Sequence, residues 1–420
     1  MSIDHLSGTR RPAPAPGRRS RNLCLTLAVA AMFLPGATAG AQPICPVVPL
    51  TSGLRQPLGI TRSNLGHLVV GETGTTIPNS GRISLVDLDG NRRTLLDGLP
   101  SGINDVGEPS GPAGVFMRGR TLYVAIGVGD VGRAGPLPGT TVPNPNPTSS
   151  PIFSSILAIH FSADVEQATS GFMLSLVDHQ TLASGGPVRI SYGRGETVTI
   201  ERVADFQDFV ASPLPFFADN IRLSNPFDLV AVADRLYVTD GGRNLVWEVD
   251  IATGEHAVLA SFPAIPNPVA PFGPPFIDAV PTGIAYSDNR LLVNLFRGFP
   301  FPPGTSVVEQ VDPLTGDHSP VIAGLKAAID VLTILERGNT SSLVLRHVSG
   351  APGPPAESGP GILFKFDTPG QAPQTIAACL NRATSMILDG RSGTLYVTEL
   401  EGRIVAIPWA SESDAGLPTR

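Results

Sequence analysis

Carboxylate and amide side chains recur in this sequence just after a three-residue apolar run that returns about every 50 residues. Two more aspartates, Asp228 and Asp330, stand at the start of the strand predicted to precede such a run. If these strands meet at a common axis, their oxygen atoms suit a hard divalent cation such as Ca²⁺ in a central channel. The alternative is that they cap turns and solvate that channel. The polar residues that follow the runs are Glu72, Asp130, Asp240, Asn294 and Glu399.

Phenylalanine and proline crowd the loops of one repeat, between residues 263 and 306. The resulting apolar patch either plugs the mouth of a channel or presents a binding surface, and the sequence favours neither reading. We therefore add Arg297, Phe299 and Phe301 to the candidate binding residues. Arg346, which directly follows the run at 343–345, is a further candidate. The loop phenylalanines are Phe272, Phe276, Phe296, Phe299 and Phe301.

Motifs with an assigned chemistry are absent or fail in context. Residues 127–132 match G-x-G-x-x-G after a strand, but Pro136 and Pro138 prevent the helix that a dinucleotide site needs. The segment from Asp87 to Asn91 has the spacing of a hairpin turn rather than of a calcium loop. The sequence has no G-x-S-x-G, H-E-x-x-H or paired C-x-x-C motif, so it indicates no catalytic set.

The apolar run and a second, alternating strand that usually ends at Asp form a unit that occurs six times. A period of this length, with four strand segments in each unit, predicts an all-β, six-bladed β-propeller. Successive runs are 54, 114, 55, 52 and 52 residues apart, so the second unit carries extra sequence. We predict a hairpin insertion at about residues 160–205, and a degenerate seventh blade is the alternative. The runs are residues 68–70, 122–124, 236–238, 291–293, 343–345 and 395–397.

The two ends of the repeat region complement each other. The last unit stops one strand short, and the segment from Cys45 to Thr51 offers a strand without a unit. In a closed ring this segment completes the last blade and removes the exposed sheet edges. Cys45 and Cys379 both fall near the closure, where they either form a disulfide or remain two buried thiols.

Loop length differs between the two faces of the predicted disc. The turns between the first and second strands and between the third and fourth strands of each unit are short. The other connections are long and rich in proline, such as residues 127–151 and 348–360. In an antiparallel blade these long loops emerge on one face, where we expect function. The alternative is that they merely cover the core.

The first 41 residues have the pattern of a signal peptide: five arginines, an apolar run from Leu23 to Leu34 and small residues at 37–41. The run is too short to span a bilayer. We expect a propeller domain at residues 42–410, a disordered polar tail at 411–420, and a periplasmic or secreted bacterial protein. Removal of residues 1–41 leaves 24 basic and 35 acidic side chains, a net charge of −11, which disfavours nucleic acid and membrane surfaces as partners.

The sequence resembles the ScyD/ScyE-like exported family, which is associated with scytonemin biosynthesis, within the NHL and SMP-30/gluconolactonase-like six-bladed propellers. The resemblance implies an exported propeller with no established catalytic residues. Lactonases of the wider group hold a divalent cation with acidic and amide side chains at the starts of inner strands. Here Asp228 and Asp330 match such positions, whereas Gly59, Gly114 and Gly283 cannot be ligands. The matching segments are residues 71–74, 81–90, 110–112, 224–250, 280–285, 298–304 and 328–332.

These observations favour an exported binding or scaffold protein, with an unknown small molecule or exported protein bound on the long-loop face. We expect it to be a monomer. One alternative is a metal-dependent hydrolase or lactonase that uses Asp228 and Asp330. A second alternative is a sugar dehydrogenase with a bound quinone, because propellers of related shape have that activity.

Overall fold

The computed structural model describes residues 45–192, 195–336, 338–350, 358–368 and 370–408. Regular structure in these ranges is almost entirely β, arranged as six sheets of four or five strands with small two-stranded ladders between them. The predicted all-β propeller with six blades is confirmed, and the seven-bladed alternative is wrong. The predicted signal peptide and the predicted disordered tail lie outside the described residues.

We name the strands of each blade A to D from the axis to the rim. Blade 1 contains Pro57–Arg62, Leu68–Glu72, Gly81–Val86 and Arg92–Leu99; blade 2 contains Pro112–Arg118, Thr121–Ile126, Ser155–Phe161 and Glu196–Asp205; blade 3 contains Pro226–Val232, Arg235–Asp240, Leu245–Asp250 and His256–Ser261. Blade 4 contains Pro281–Ser287, Arg290–Leu295, Ser306–Val311 and His318–Leu325; blade 5 contains Ala328–Glu336, Asn339–Arg346, Gly361–Phe366 and Gln374–Leu380; blade 6 contains Ala383–Asp389, Thr394–Glu399, Arg403–Pro408 and, as strand D, Val48–Ser52.

The apolar runs of the sequence form strand B of every blade. In blade 3, Leu236, Tyr237 and Val238 are all buried although their side chains alternate between the two sheet faces. Both faces need apolar residues because neighbouring blades pack against each side of the sheet. This packing explains why the run is continuous rather than alternating.

The ring closes by pairing the N-terminal strand with the end of the chain. Val48–Ser52 runs antiparallel to Arg403–Pro408, with Ser52 opposite Arg403. The strands A of neighbouring blades contact one another around the whole circle, blades 6 and 1 included. Cys45 and Cys379 form a disulfide with Cα atoms 5.5 Å apart, which joins the closing segment to strand D of blade 5.

In blades 1, 2 and 4, strand A approaches the next blade so closely that glycine is required at its third position. A Cβ on Gly114 would lie 2.4 Å from the Cα atom of Asp228 in the next blade. A Cβ on Gly283 would lie 2.6 Å from the Cα atom of Asp330. Real side chains never come this near to a backbone, so these glycines set the spacing between blades.

Each of these aspartates hydrogen-bonds across the seam on its other side. The carboxylate of Asp228 accepts from the backbone N–H of Ile284 at 3.2 Å. The carboxylate of Asp330 accepts from the N–H of Met386 at 2.8 Å and from the hydroxyl of Ser385 at 3.0 Å. The same kind of polar contact, from an aspartate to the next blade, therefore occurs between blades 3 and 4 and between blades 5 and 6.

The extra sequence of the second unit contains two helices that the sequence reading did not include. Helix α1 spans Ala163–Ala168 and helix α2 spans Leu176–Ala183; Phe172–Met173 between them pairs with blade 1. Val188–Tyr192 then adds a fifth strand to blade 2. The buried carboxylate of Glu166 fixes the insertion, since it accepts hydrogen bonds from Ser63 and Arg120.

No helix in the described ranges is both long and apolar enough to cross a membrane.

Several long loops form two-stranded ladders of their own. The ladders pair Gly102–Ile103 with Pro109–Ser110, Gly132–Ala134 with Thr141–Pro143, Phe209–Ala211 with Ile221–Leu223, and Ile265–Pro266 with Phe276–Ile277.

Loss of the Cys45–Cys379 disulfide should weaken ring closure. The bond constrains a separation of 334 residues, so its removal increases the entropy of the unfolded chain. We expect the double variant Cys45→Ser, Cys379→Ser to lose about 2–4 kcal/mol of unfolding free energy in urea titrations. Dithiothreitol should destabilise the wild type and leave the variant unchanged; equal sensitivity of both would contradict this role.

The carboxylate of Asp330 should be a main stabilising group of its seam. Asp330→Ala leaves the buried N–H of Met386 and hydroxyl of Ser385 without this acceptor. We expect a loss of about 2–4 kcal/mol in unfolding free energy, measured by urea denaturation. Asp219→Ala, at an exposed loop position, is the matched control and should change the value by less than about 0.5 kcal/mol.

Candidate functional site

The carboxylates at the ends of strand B hold the chain that enters strand A. Glu72 is fully buried and accepts hydrogen bonds from the guanidinium of Arg82 at 2.9 and 2.6 Å. It also accepts from the backbone N–H of Arg55, which precedes strand A of blade 1. This carboxylate therefore joins the segment before strand A to strand C by hydrogen bonds, which is a structural role.

Asp240 and Glu399 occupy the same position in blades 3 and 6. Asp240 accepts from the N–H of Asn225 at 2.8 Å and from the indole N–H of Trp247 at 3.1 Å, while burial raises its pKa. Glu399 accepts from the N–H of Asn381 at 2.6 Å. Three of the predicted binding carboxylates thus share one structural role in separate blades.

Asp130 holds a loop rather than a strand. Both of its carboxylate oxygens lie 3.0 Å from the backbone nitrogen of Ser149, at the far end of the long loop of blade 2. Asp228 and Asp330, the predicted metal ligands, serve the blade seams. In the part of the chain that the structure describes, no group of three or more His, Cys, Asp and Glu side chains could hold a metal ion.

The loop phenylalanines of blade 4 form a ladder of aromatic rings on the long-loop face. The ring centroids of Phe272 and Phe299 are 5.5 Å apart, and Phe299 is 6.2 Å from Phe301. Phe301 is 5.4 Å from Phe296, which in turn is 5.9 Å from the ring of His347 in blade 5. Such spacing and the tilted or edge-on geometry are favourable for aromatic pairs. Phe276 is exposed but takes no part in the ladder.

Exposure decreases along the ladder from Phe299 to His347. Phe299 is 46% exposed, whereas His347 is buried. The Nδ1 atom of His347 lies 2.8 Å from the carbonyl oxygen of Ala383. Phe301 is half-buried and its φ of 57° is in the left-handed region. The sequence left open whether Phe299 and Phe301 plug the channel mouth or present a binding surface; of the two, Phe299 is the more exposed.

Several buried polar atoms of the described residues in blades 4 and 5 lack a hydrogen-bond partner, as do others in blades 1 and 3. Among the described residues, the side-chain amide of Asn294 and one terminal nitrogen of Arg297 are buried without a hydrogen-bond partner. Arg297 donates from Nε to the carbonyl of Thr305 at 3.0 Å, and burial lowers its pKa. The buried ammonium of Lys326 likewise lacks a partner.

A cleft of about 420 Å³ separates the outer part of blade 4 from blade 5. Arg346 lies on its wall and donates to the carbonyls of Val348 at 2.9 Å and Ser349 at 3.3 Å. Lys326 lies on the same wall, and sequence reasoning did not select it. The available signal was its rarity, since Lys326 and Lys365 are the only lysines of the chain.

A scan of the sequence against protein-family models finds no match, and a comparison with curated proteins finds none at a significant level. Solved structures with a similar fold include the PQQ-bound aldose sugar dehydrogenase of Streptomyces coelicolor, at 13% identity and a TM-score of 0.47. That match covers 86% of this chain and 96% of the other.

Two further solved structures are similar over the same share of this chain. Virginiamycin B lyase of Staphylococcus aureus matches at 13% identity and a TM-score of 0.42, covering 86% of this chain and 97% of the other. An oxidoreductase of Thermus thermophilus, described as a glucose dehydrogenase, matches at 14% identity and a TM-score of 0.42, covering 86% and 98%. Identities and scores this low carry no inference about ligand or reaction, and the propeller assignment depends on the six blades themselves.

Proposed function

We propose that this chain is an exported binding propeller whose ligand or partner contacts the aromatic ladder on the long-loop face. The observation that carries the proposal is the partly exposed ring of Phe299. This ring packs against the half-buried ring of Phe301, which in turn packs against Phe296. A half-exposed aromatic side chain with a rigid support is a favourable binding anchor, because little conformational entropy is lost on contact.

The other predicted binding residues support this choice by their engagement elsewhere. Glu72, Asp240 and Glu399 accept hydrogen bonds within their own blades, and Asp228 accepts one across a seam. The lactonase and quinone alternatives stay predictions, since no contact among the described residues singles out either reaction. The ScyD/ScyE-like membership belongs to the same proposal and depends on the matching sequence segments.

Export is the second part of the proposal. It depends on the signal-peptide pattern of residues 1–41, which lie outside the described residues. The Cys45–Cys379 disulfide supports it, because such bonds persist in oxidising compartments such as the periplasm or the extracellular space.

Phe299→Ser should weaken binding and leave the fold intact. We expect the immobilised mature protein to retain at least about fivefold less of its specific ligand or partner from exported material, by mass spectrometry, since an aromatic anchor contributes about 1 kcal/mol or more. Its melting temperature should stay within about 1 °C because almost half of the residue is already exposed. Phe216→Ser, which alters an exposed phenylalanine of another loop, is the matched control. Equal capture by Phe299→Ser and wild type would refute the assignment.

His347 should make the stability of the protein depend on pH. Burial lowers the pKa of its imidazole to about 4, so between pH 6.5 and 4 the unfolded chain binds a proton that the folded chain does not. The contribution of His347 to the unfolding free energy is therefore highest above pH 6.5, decreases as the pH falls towards 4, and is constant at still lower pH.

His347→Asn should remove that dependence. The amide can still donate a hydrogen bond to the carbonyl of Ala383, but it has no titration in this range. We expect the unfolding free energy of the wild type to fall by on the order of 3 kcal/mol more than that of the variant from pH 7 to pH 4. Parallel pH profiles from urea titrations would show that His347 is not held neutral.

A further inference from the structure

The pairing of strands A and B at the start of blade 5 departs from the charge pattern of blades 1, 3 and 6. In blades 1, 3 and 6, the last residue of strand B is an acid that lies opposite the first residue of strand A. Arg346 takes this position in blade 5, opposite Ala328. An acceptor of hydrogen bonds is thus replaced by a cation.

A second cation lies at the same place. Lys326 stands two residues before strand A of blade 5, as Arg55 and Asn381 do in blades 1 and 6. The backbone N–H groups of Arg55 and Asn381 are bound by the acids Glu72 and Glu399. Blade 5 offers no such acid, because Arg346 occupies its position.

The ammonium of Lys326 is buried and has no hydrogen-bond partner among the described residues. The residue is only 3% exposed, and within the described ranges its Nζ has neither a hydrogen-bond partner nor a carboxylate at ion-pair distance. A buried ammonium without a counter-charge is unfavourable. The pKa of Lys326 is lowered, first by burial and then by Arg346, which agrees with an unmet need for negative charge.

The cleft has the volume of a ligand site, and apolar side chains form a large part of its lining. The volume of about 420 Å³ lies within the range typical of small-molecule pockets. Its apolar lining includes Ile322, Leu325, Phe364, Phe366 and Pro373. These walls suit an organic body better than a hydrated inorganic ion.

We propose that the cleft between blades 4 and 5 binds a small organic carboxylate, with its anionic group on Lys326 and Arg346 and its apolar body against Phe364 and Phe366. The overall charge of the predicted mature chain is negative, so attraction for the anion has to come from these two local cations. This site is separate from the aromatic ladder and does not require a ligand there.

Benzoate is a suitable probe, and neutral benzamide is its isosteric control. We expect calorimetric titration of the mature protein to detect benzoate binding, with benzamide and inorganic phosphate each at least tenfold weaker. Lys326→Met should weaken benzoate binding at least tenfold and keep the fold, because methionine fits an apolar buried position. Lys365→Met, at the only other lysine, should bind benzoate as the wild type does.

Three outcomes would overturn the proposal: no benzoate binding at millimolar concentration, equal binding of benzamide, or equal binding by Lys326→Met and wild type. Phe299→Ser separates this site from the proposed function. If that variant loses its captured partner and still binds benzoate, both assignments hold. If it loses benzoate binding as well, the two sites are not separate, and this inference is wrong in that respect.

Discussion

The close approach of the six inner strands is the constraint on which the rest of the structure depends. The seams leave no room for a Cβ at Gly114 and Gly283, and the aspartates opposite them hydrogen-bond to the following blade. Thr384 adds a bond at the last seam, where its hydroxyl donates to the carbonyl of Pro57 at 2.9 Å. Polar groups near the axis therefore hold the ring together, and their engagement there leaves the loop face and the blade flanks for binding.

The fold could be predicted because its sequence signals have a direct physical cause. Strand B is buried on both faces, so its apolar run is visible in every repeat, and a missing last strand with a spare first strand indicates closure. The insertion was harder. Residues 171–176 contain apolar residues at strand-like spacing, yet Ser175 and Asp178 form a capping box that begins helix α2. That local signal was present in the sequence and had no counterpart in the repeats.

The candidate site could be predicted only in part. The sequence selected Phe299 and Arg346, which lie in the aromatic ladder and on the cleft wall, and their binding role stays a prediction. It also selected Glu72 and Asp240, whose carboxylates already accept hydrogen bonds from an arginine side chain and from backbone N–H groups. Residue type alone cannot show whether a carboxylate already has partners. Lys326 escaped notice for the converse reason, because its significance comes from the absence of an acid at the aligned position of Arg346.

Buried polar groups in this ring differ in how fully their hydrogen bonds are satisfied. The buried carboxylates of Glu72 and Glu166 have several partners. Within the described ranges, Asn294, Arg297 and Lys326 keep unpartnered atoms, as Arg62 does in blade 1 and Arg243 in blade 3. Unsatisfied polar groups reduce stability, and proteins retain them mainly where function requires it. The loop that carries Phe299 also supplies Pro303 and Gly304 to the cleft wall. The same segment therefore contributes both to the aromatic ladder and to the wall of the cationic cleft.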